Sequence, residues 1–208
     1  FQLMNLCRFI LDIGQPLIWY GCGKYITETL LFAAFSMDSV INLCTVRHMT
    51  FRMKLYISAF YSVLTHGSQD EAQNVVDKLS KELNELVERE ELDLPIPEKN
   101  LALLKRFESD LLVVKAVLVF FKTPDEMKAS VTYTGKFEYS TIGVTFEERV
   151  LLECSRAQAL TSGNTNETWQ KRSSSLFEAF ENFIKSGAVA SHQFLLEMTS
   201  MILCSRDD

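Results

Sequence analysis

The residues that could do chemistry are few, and their spacing decides how to read them. The run Gly21-Cys22-Gly23-Lys24 has the glycines and lysine of a phosphate cradle. A phosphate loop, however, needs G-x-x-x-x-G-K-[ST] between a strand and a helix, so that successive backbone N–H groups wrap the anion. The spacing here differs and no strand-like run precedes it, so the segment reads as a plain turn. His48, His66 and His192 lie in separate segments. No two are spaced as metal ligands or as a base with its nucleophile, and structural or surface roles are expected for each. Asp38 or Glu28 near a cysteine could in principle form a dyad, but nothing in the sequence orients one. Glu147 and Glu148 fit as first-turn carboxylates that favour the positive end of a helix. Cysteines 7, 22, 44, 154 and 204 are odd in number and scattered, with no Cys-x-x-Cys pair. That pattern predicts buried thiols in a reducing cytoplasm rather than a zinc site or a disulfide framework. The expectation is a chain with no catalytic residues, no metal and no cofactor.

If side chains do not converge on chemistry, the elements that carry them become the informative level. Glycine and proline are scarce, 8 and 4 in 208 residues, which favours helices over strands and turns. A hydrophobic share of 47% is ample for a core and leaves apolar surface for neighbours. The net charge of -6 argues against nonspecific nucleic-acid binding, which needs clustered Lys and Arg. The most apolar run, Leu111 to Phe121, is interrupted by Lys115 and falls well short of the roughly 20 residues that cross a bilayer. Phe1 to Ile13 lacks a basic leader and a small-residue cleavage site, so no signal peptide or membrane span is expected. Beginning at Phe1 inside an apolar run, the sequence reads as a piece of a longer chain.

Periodicity supplies the elements. Phe1 to Ile13 is apolar on nearly every side, as in a helix covered by others, and Gly14-Gln15-Pro16 is expected to stop it. Gly21 to Gly23 breaks the chain again before an apolar segment from Tyr25 to Phe35. Thr50 is a plausible cap for a helix ending near His66, whose stripe Phe51, Leu55, Tyr56, Phe60, Tyr61, Leu64 has three- and four-residue spacing. Asp70 to Glu91 is the clearest amphipathic helix, with Ala72, Val75, Val76, Leu79, Leu83, Leu86 and Val87 on its apolar face. Pro95 and Pro97 force a turn into a helix over about 99–122, whose apolar end is expected to be covered by neighbours. Thr123-Pro124-Asp125-Glu126 is a further helix start. Val131 to Val144 is rich in β-branched and aromatic residues and reads as a loop or a small hairpin. Helices are expected again over about 146–160, 168–185 and 188–203, with a polar linker from Thr161 to Asn166.

Between the two clearest helices, Gly67, Ser68, Glu71 and Ala72 form the most informative junction. Gly67 can take the left-handed backbone that ends a helix. Ser68 and Glu71 make a capping box that starts the next one, and Ala72 is small where the second helix must pass the first. Two antiparallel helices with a minimal turn are the unit of an α-solenoid. The predicted fold class is therefore all-α, an irregular solenoid of helical hairpins: an array over 1–122, an insertion over 123–144 and continuing hairpins over 145–208. A coiled-coil role for Asp70 to Glu91 is the alternative, disfavoured because its stripe is wider than a heptad seam.

Two resemblances rest on these segments. Gly67 to Leu79 resembles the turn and second helix of a tetratricopeptide repeat, in its Gly, its Glu-Ala pair and its Lys-apolar ending. The segment Phe1 to Pro16, with Thr45-Val46-Arg47 and then Arg52, Leu55 and Tyr56, resembles the large cilia- and flagella-associated scaffold of an axonemal central-pair projection. The second resemblance covers about the first 120 residues. It implies a helical scaffold without catalytic residues, partnered by other projection proteins in a hetero-oligomeric, microtubule-associated complex of the ciliary or flagellar axoneme. The tetratricopeptide likeness alone would imply an adaptor in a cytosolic complex.

Overall fold

A computed structural model describes residues 2–19, 22–65, 69–92, 96–122 and 146–161, with isolated helical residues at 181, 195, 196 and 199. Among the described residues the fold is all-α, with six helices: α1 (Gln2–Trp19), α2 (Thr27–Asp38), α3 (Val46–Thr65), α4 (Gln69–Leu92), α5 (Glu98–Lys122) and α6 (Phe146–Thr161). Short 3-10 turns at Gly23–Tyr25 and Ile41–Leu43 precede α2 and α3 respectively. The expected hairpin or loop at 131–144, the helix start at Thr123 and the helices expected over 168–185 and 188–203 lie outside the described residues, the isolated positions apart.

Two helix boundaries differ from the sequence reading. The α1 helix does not stop at Gly14; it runs through Pro16 to Trp19. Pro16 stands in the last turns, where its missing N–H forfeits only the bond that the Asp12 carbonyl would have accepted. Burial of Ile18 just beyond it favours continuation. Gly14 is a close-packing point and not a breaker. A Cβ placed there would lie 3.3 Å from Ile26 Cγ1 and from Leu30 Cδ2. In α3, Thr50 is an interior residue and the start lies at Val46. Thr45 sits at the boundary, its carbonyl accepting from the N–H groups of His48 and Met49, both at 3.0 Å. The apolar residues before Thr50 disguised the first turn, because Val46 and Met49 point into the core.

The chain divides into two compact units, residues 1–114 and 115–208, with the division inside α5. In the first unit α1 packs on α2 and α3, α2 on α3, and α3 on α4. Pairwise contacts show that α2 and α3, and α3 and α4, run antiparallel. Thr27 at the start of α2 meets Ser62 near the end of α3, while Asp38 at the end of α2 meets Arg52 near the start of α3. Arg52 in turn meets Glu82 of α4, and Cys44 just ahead of α3 meets Arg89 near the end of α4.

The core of this unit is formed by Leu30, Ala34 and Met37 of α2, Met49, Leu55, Tyr56, Ala59 and Phe60 of α3, and Ala72, Leu79, Leu83 and Leu86 of α4. Small residues recur on these faces (Ala33, Ala34, Ala59, Ala72), and each lets a neighbouring helix approach closely. The α5 helix begins after Pro97, whose carbonyl accepts from Asn100 and Leu101 N–H at 2.8 and 3.1 Å. Its apolar end is covered on one side only: Val113, Val114, Val117 and Leu118 are buried, whereas Leu112 and Val119 are about half exposed, at 45% and 52%. In the second unit α6 buries Val150, Cys154 and Ala157, a stripe of helical spacing.

Candidate functional site

The largest concentration of polar side chains inside the first unit is a buried charge cluster where α2, α3 and α4 meet. Each helix contributes by simple geometry. Residues three or four apart on a helix share a face. In α3 that puts Met49, Arg52 and Tyr56 in one row, and in α4 it puts Lys78 beside Glu82. Asp38 is the last residue of α2, where the negative end of the helix dipole disfavours a carboxylate. It therefore needs a cation, and Arg52 supplies one.

Arg52 has no exposed side-chain surface, and the side chains of Asp38 and Glu82 are 7% exposed. The guanidinium fork donates from Nε to Asp38 Oδ1 at 2.8 Å and from Nη2 to the same oxygen and to Glu82 Oε2, the latter at 2.6 Å. Its Nη1 lies 3.7 Å from the Met49 thioether. The Tyr56 hydroxyl donates to Asp38 Oδ2, and Lys78 Nζ donates to Glu82 Oε1 at 2.6 Å. Both oxygens of each carboxylate are thus occupied. Two cations face two anions, so the cluster is neutral as a whole.

The electrostatics follow from that arrangement. Burial pushes the Asp38 carboxyl up, and the Tyr56 hydrogen bond and Arg52 charge oppose this without cancelling it. For Glu82 burial acts in the same direction, but the hydrogen bond and charge of Lys78, with Arg52 behind them, outweigh it and hold the carboxyl below its usual value. Burial also drives the Tyr56 hydroxyl far above its usual range, reinforced by its bond to Asp38. Tyr56 is therefore a fixed donor and not an acid at physiological pH.

A second polar cluster locks the other end of the α2–α3 pair. The Gly23 carbonyl accepts from Ser62 Oγ at 2.7 Å, from Thr27 Oγ1 at 3.1 Å and from the Ile26 N–H at 2.9 Å. Thr27 and Ser62 hydroxyls lie 2.7 Å apart. The glycine-rich run thus offers a buried carbonyl to the core, which is the opposite of the N–H nest that a phosphate requires. Lys24, the residue that would have reached a phosphate, is exposed and stacks 4.8 Å over the Tyr25 ring.

The other candidates separate. Cys44 donates its thiol to the backbone carbonyls of Asp38 and Val40 at 3.3 and 3.5 Å, so it does not face the Asp38 carboxylate that a dyad would need. Cys7 is buried with its thiol 3.6 Å from the Ala33 carbonyl, and burial raises it above the ordinary thiol value. Cys154 is buried too. His48 is half-buried near Arg47 and Arg52, and burial together with those two cations lowers its pKa. Glu28 is exposed on α2, and Glu148 is buried in the first turn of α6. Of the junction residues, Ala72 is fully buried and Glu71 exposed, while Gly67 and Ser68 lie outside the described residues. Among the described residues no three His, Cys, Asp or Glu side chains gather as a metal site, and no helix is long and apolar enough to cross a membrane.

Sequence reasoning missed the Asp38–Arg52–Glu82 cluster, although a signal was present. Arg52 falls inside the Met49–Tyr56–Phe60 stripe, and Glu82 falls between Leu79 and Leu86 on the apolar face of α4. Opposite charges within the apolar faces of two consecutive helices are the mark of a pair that meets in the core. The chain matches no family model, no curated protein and no solved structure.

Proposed function

We propose that this chain is a non-catalytic structural scaffold segment of a ciliary or flagellar central-apparatus projection, holding other projection proteins and supporting cilium assembly and motility. The observation that supports it best is the use made of the buried polar groups. Asp38, Arg52, Tyr56, Glu82, Thr27 and Ser62 are turned toward one another across helix boundaries, where they fix the positions of helices. Large apolar side chains meanwhile stand outward. Leu6, Phe9 and Ile13 form one face of α1, and Phe32 lies outward on α2, surface of the kind that neighbouring subunits cover. The resemblance of Phe1 to Pro16, and of Arg52, Leu55 and Tyr56, to a central-pair scaffold directs the reading to the axoneme.

The finer architecture belongs to the same proposal. The helices form an irregular α-solenoid of antiparallel hairpins, with residues 131–144 as an inserted loop or small hairpin. A second reading, a tetratricopeptide-like adaptor that binds partners in a cytosolic complex, draws on the antiparallel α3–α4 pair with Ala72 buried beside its turn. Imaging the tagged full-length protein in motile ciliated cells separates the two. Enrichment along the axoneme, with altered beating on depletion, is the expected result. A diffuse cytosolic signal contradicts the scaffold and favours the adaptor.

A further inference from the structure

Lys78 is the member of the buried cluster that solvent can reach, its side chain 36% exposed against 0% for Arg52 and 7% for Asp38 and Glu82. The three inner charges alone sum to minus one, and Lys78 brings the group to neutrality. We propose that Lys78 is a charge-sensitive modification site, a surface control through which loss of one positive charge loosens α4 from α3.

The chemistry is that of lysine acylation. An acyl thioester transfers its acyl group to Nζ; the C–S bond breaks, a C–N amide bond forms, and the thiol and one proton are released. The product is neutral, so Glu82 Oε1 loses its cation while Oε2 remains on Arg52 Nη2. Arg52 is then shared between two carboxylates in a site without water-exposed charge to balance the second. The excess falls on the one guanidinium that joins α2, α3 and α4, so a surface event is felt at a three-helix junction.

The same helix carries an internal control. Lys81 and Glu85 have the same spacing as Lys78 and Glu82, but their side chains are 68% and 46% exposed and stand 3.8 Å apart. Such a pair is screened by water and contributes little. A modification at Lys81 should therefore pass unnoticed, whereas the same modification at Lys78 should not.

The test installs Nε-acetyl-lysine at position 78, or at 81, of the 208-residue chain and follows amide hydrogen exchange. Acetylation at 78 is expected to speed exchange in α4 and the facing part of α3 by about tenfold or more, with 81 close to the parent. Lys78→Arg should stay protected. Lys78→Met should behave like the acetylated chain, and adding Glu82→Gln should restore part of the protection, because the remaining Arg52–Asp38 pair is again neutral. Equal behaviour of the 78 and 81 chains, or a double variant no better protected than Lys78→Met, would overturn the proposal. If Lys78→Met does not fold, a folded double variant still supports the proposal and an unfolded one overturns it.

Discussion

An arginine with no exposed surface keeps its charge only where anions are brought to it, and Arg52 draws them from two other helices. The arrangement makes each partner sensitive to the loss of the next. Replacing Tyr56 with Phe would leave Asp38 Oδ2 buried without its donor, and stability should fall by about 1–3 kcal/mol in urea unfolding. A variant as stable as the parent would show that this oxygen finds another partner. His48 gives the protein a pH dependence of known sign. Its pKa is lowered from 6.5, so on acidification the unfolded chain takes up a proton that the folded chain resists. The stabilisation is present above pH 6.5 and is lost as pH falls from there toward the folded value. Thermal melts between pH 7.5 and 5.5 should therefore show a falling midpoint, and His48→Gln should flatten that slope; an unchanged slope in the variant would assign the effect to other groups. Glu82 has the same sign in a more acidic window, below its ordinary value of 4.5.

At the scale of the element, the packing of Gly14 and Ala72 carries the argument. Gly14 has two α2-side neighbours at 3.3 Å from any added Cβ, so Gly14→Leu should overpack the α1–α2 contact and lower stability by about 1–3 kcal/mol. Ala72→Phe tests the α3–α4 contact in the same way, with a loss of similar size expected in thermal or urea unfolding. If either variant melts like the parent, that helix pair is less tightly apposed than described. These elements also show what the sequence made legible. The runs of α3 and α4 announced themselves through three-to-four spacing, most clearly in α4, where one buried stripe and one polar face leave an unambiguous period. The ends did not. Pro16 and Gly14 look like breakers until the buried Ile18 and the close approach of α2 are known. Thr50 looks like a cap until Val46 and Met49 are seen to be core. Boundary signals are local, and tertiary packing decides among them.

For the molecule as a whole, the polar cluster was harder to read than the helices because its members lie far apart in sequence. Asp38, Arg52 and Glu82 become neighbours only after α2, α3 and α4 have been laid antiparallel, and residue types alone do not supply that register. Once assembled, the cluster acts on all three helices at once. The proposed scaffold role would draw on such a device, since a buried charge pair disfavours alternative registers of the helices that carry it. The account therefore rests on Arg52 as the structural hub of the first unit, and urea unfolding of Arg52→Met followed by far-ultraviolet circular dichroism tests it most directly. Removing the guanidinium while keeping similar bulk leaves two buried carboxylates facing each other. The account predicts a loss of about 3–5 kcal/mol relative to the parent. An unfolding curve that superimposes on the parent's would contradict it.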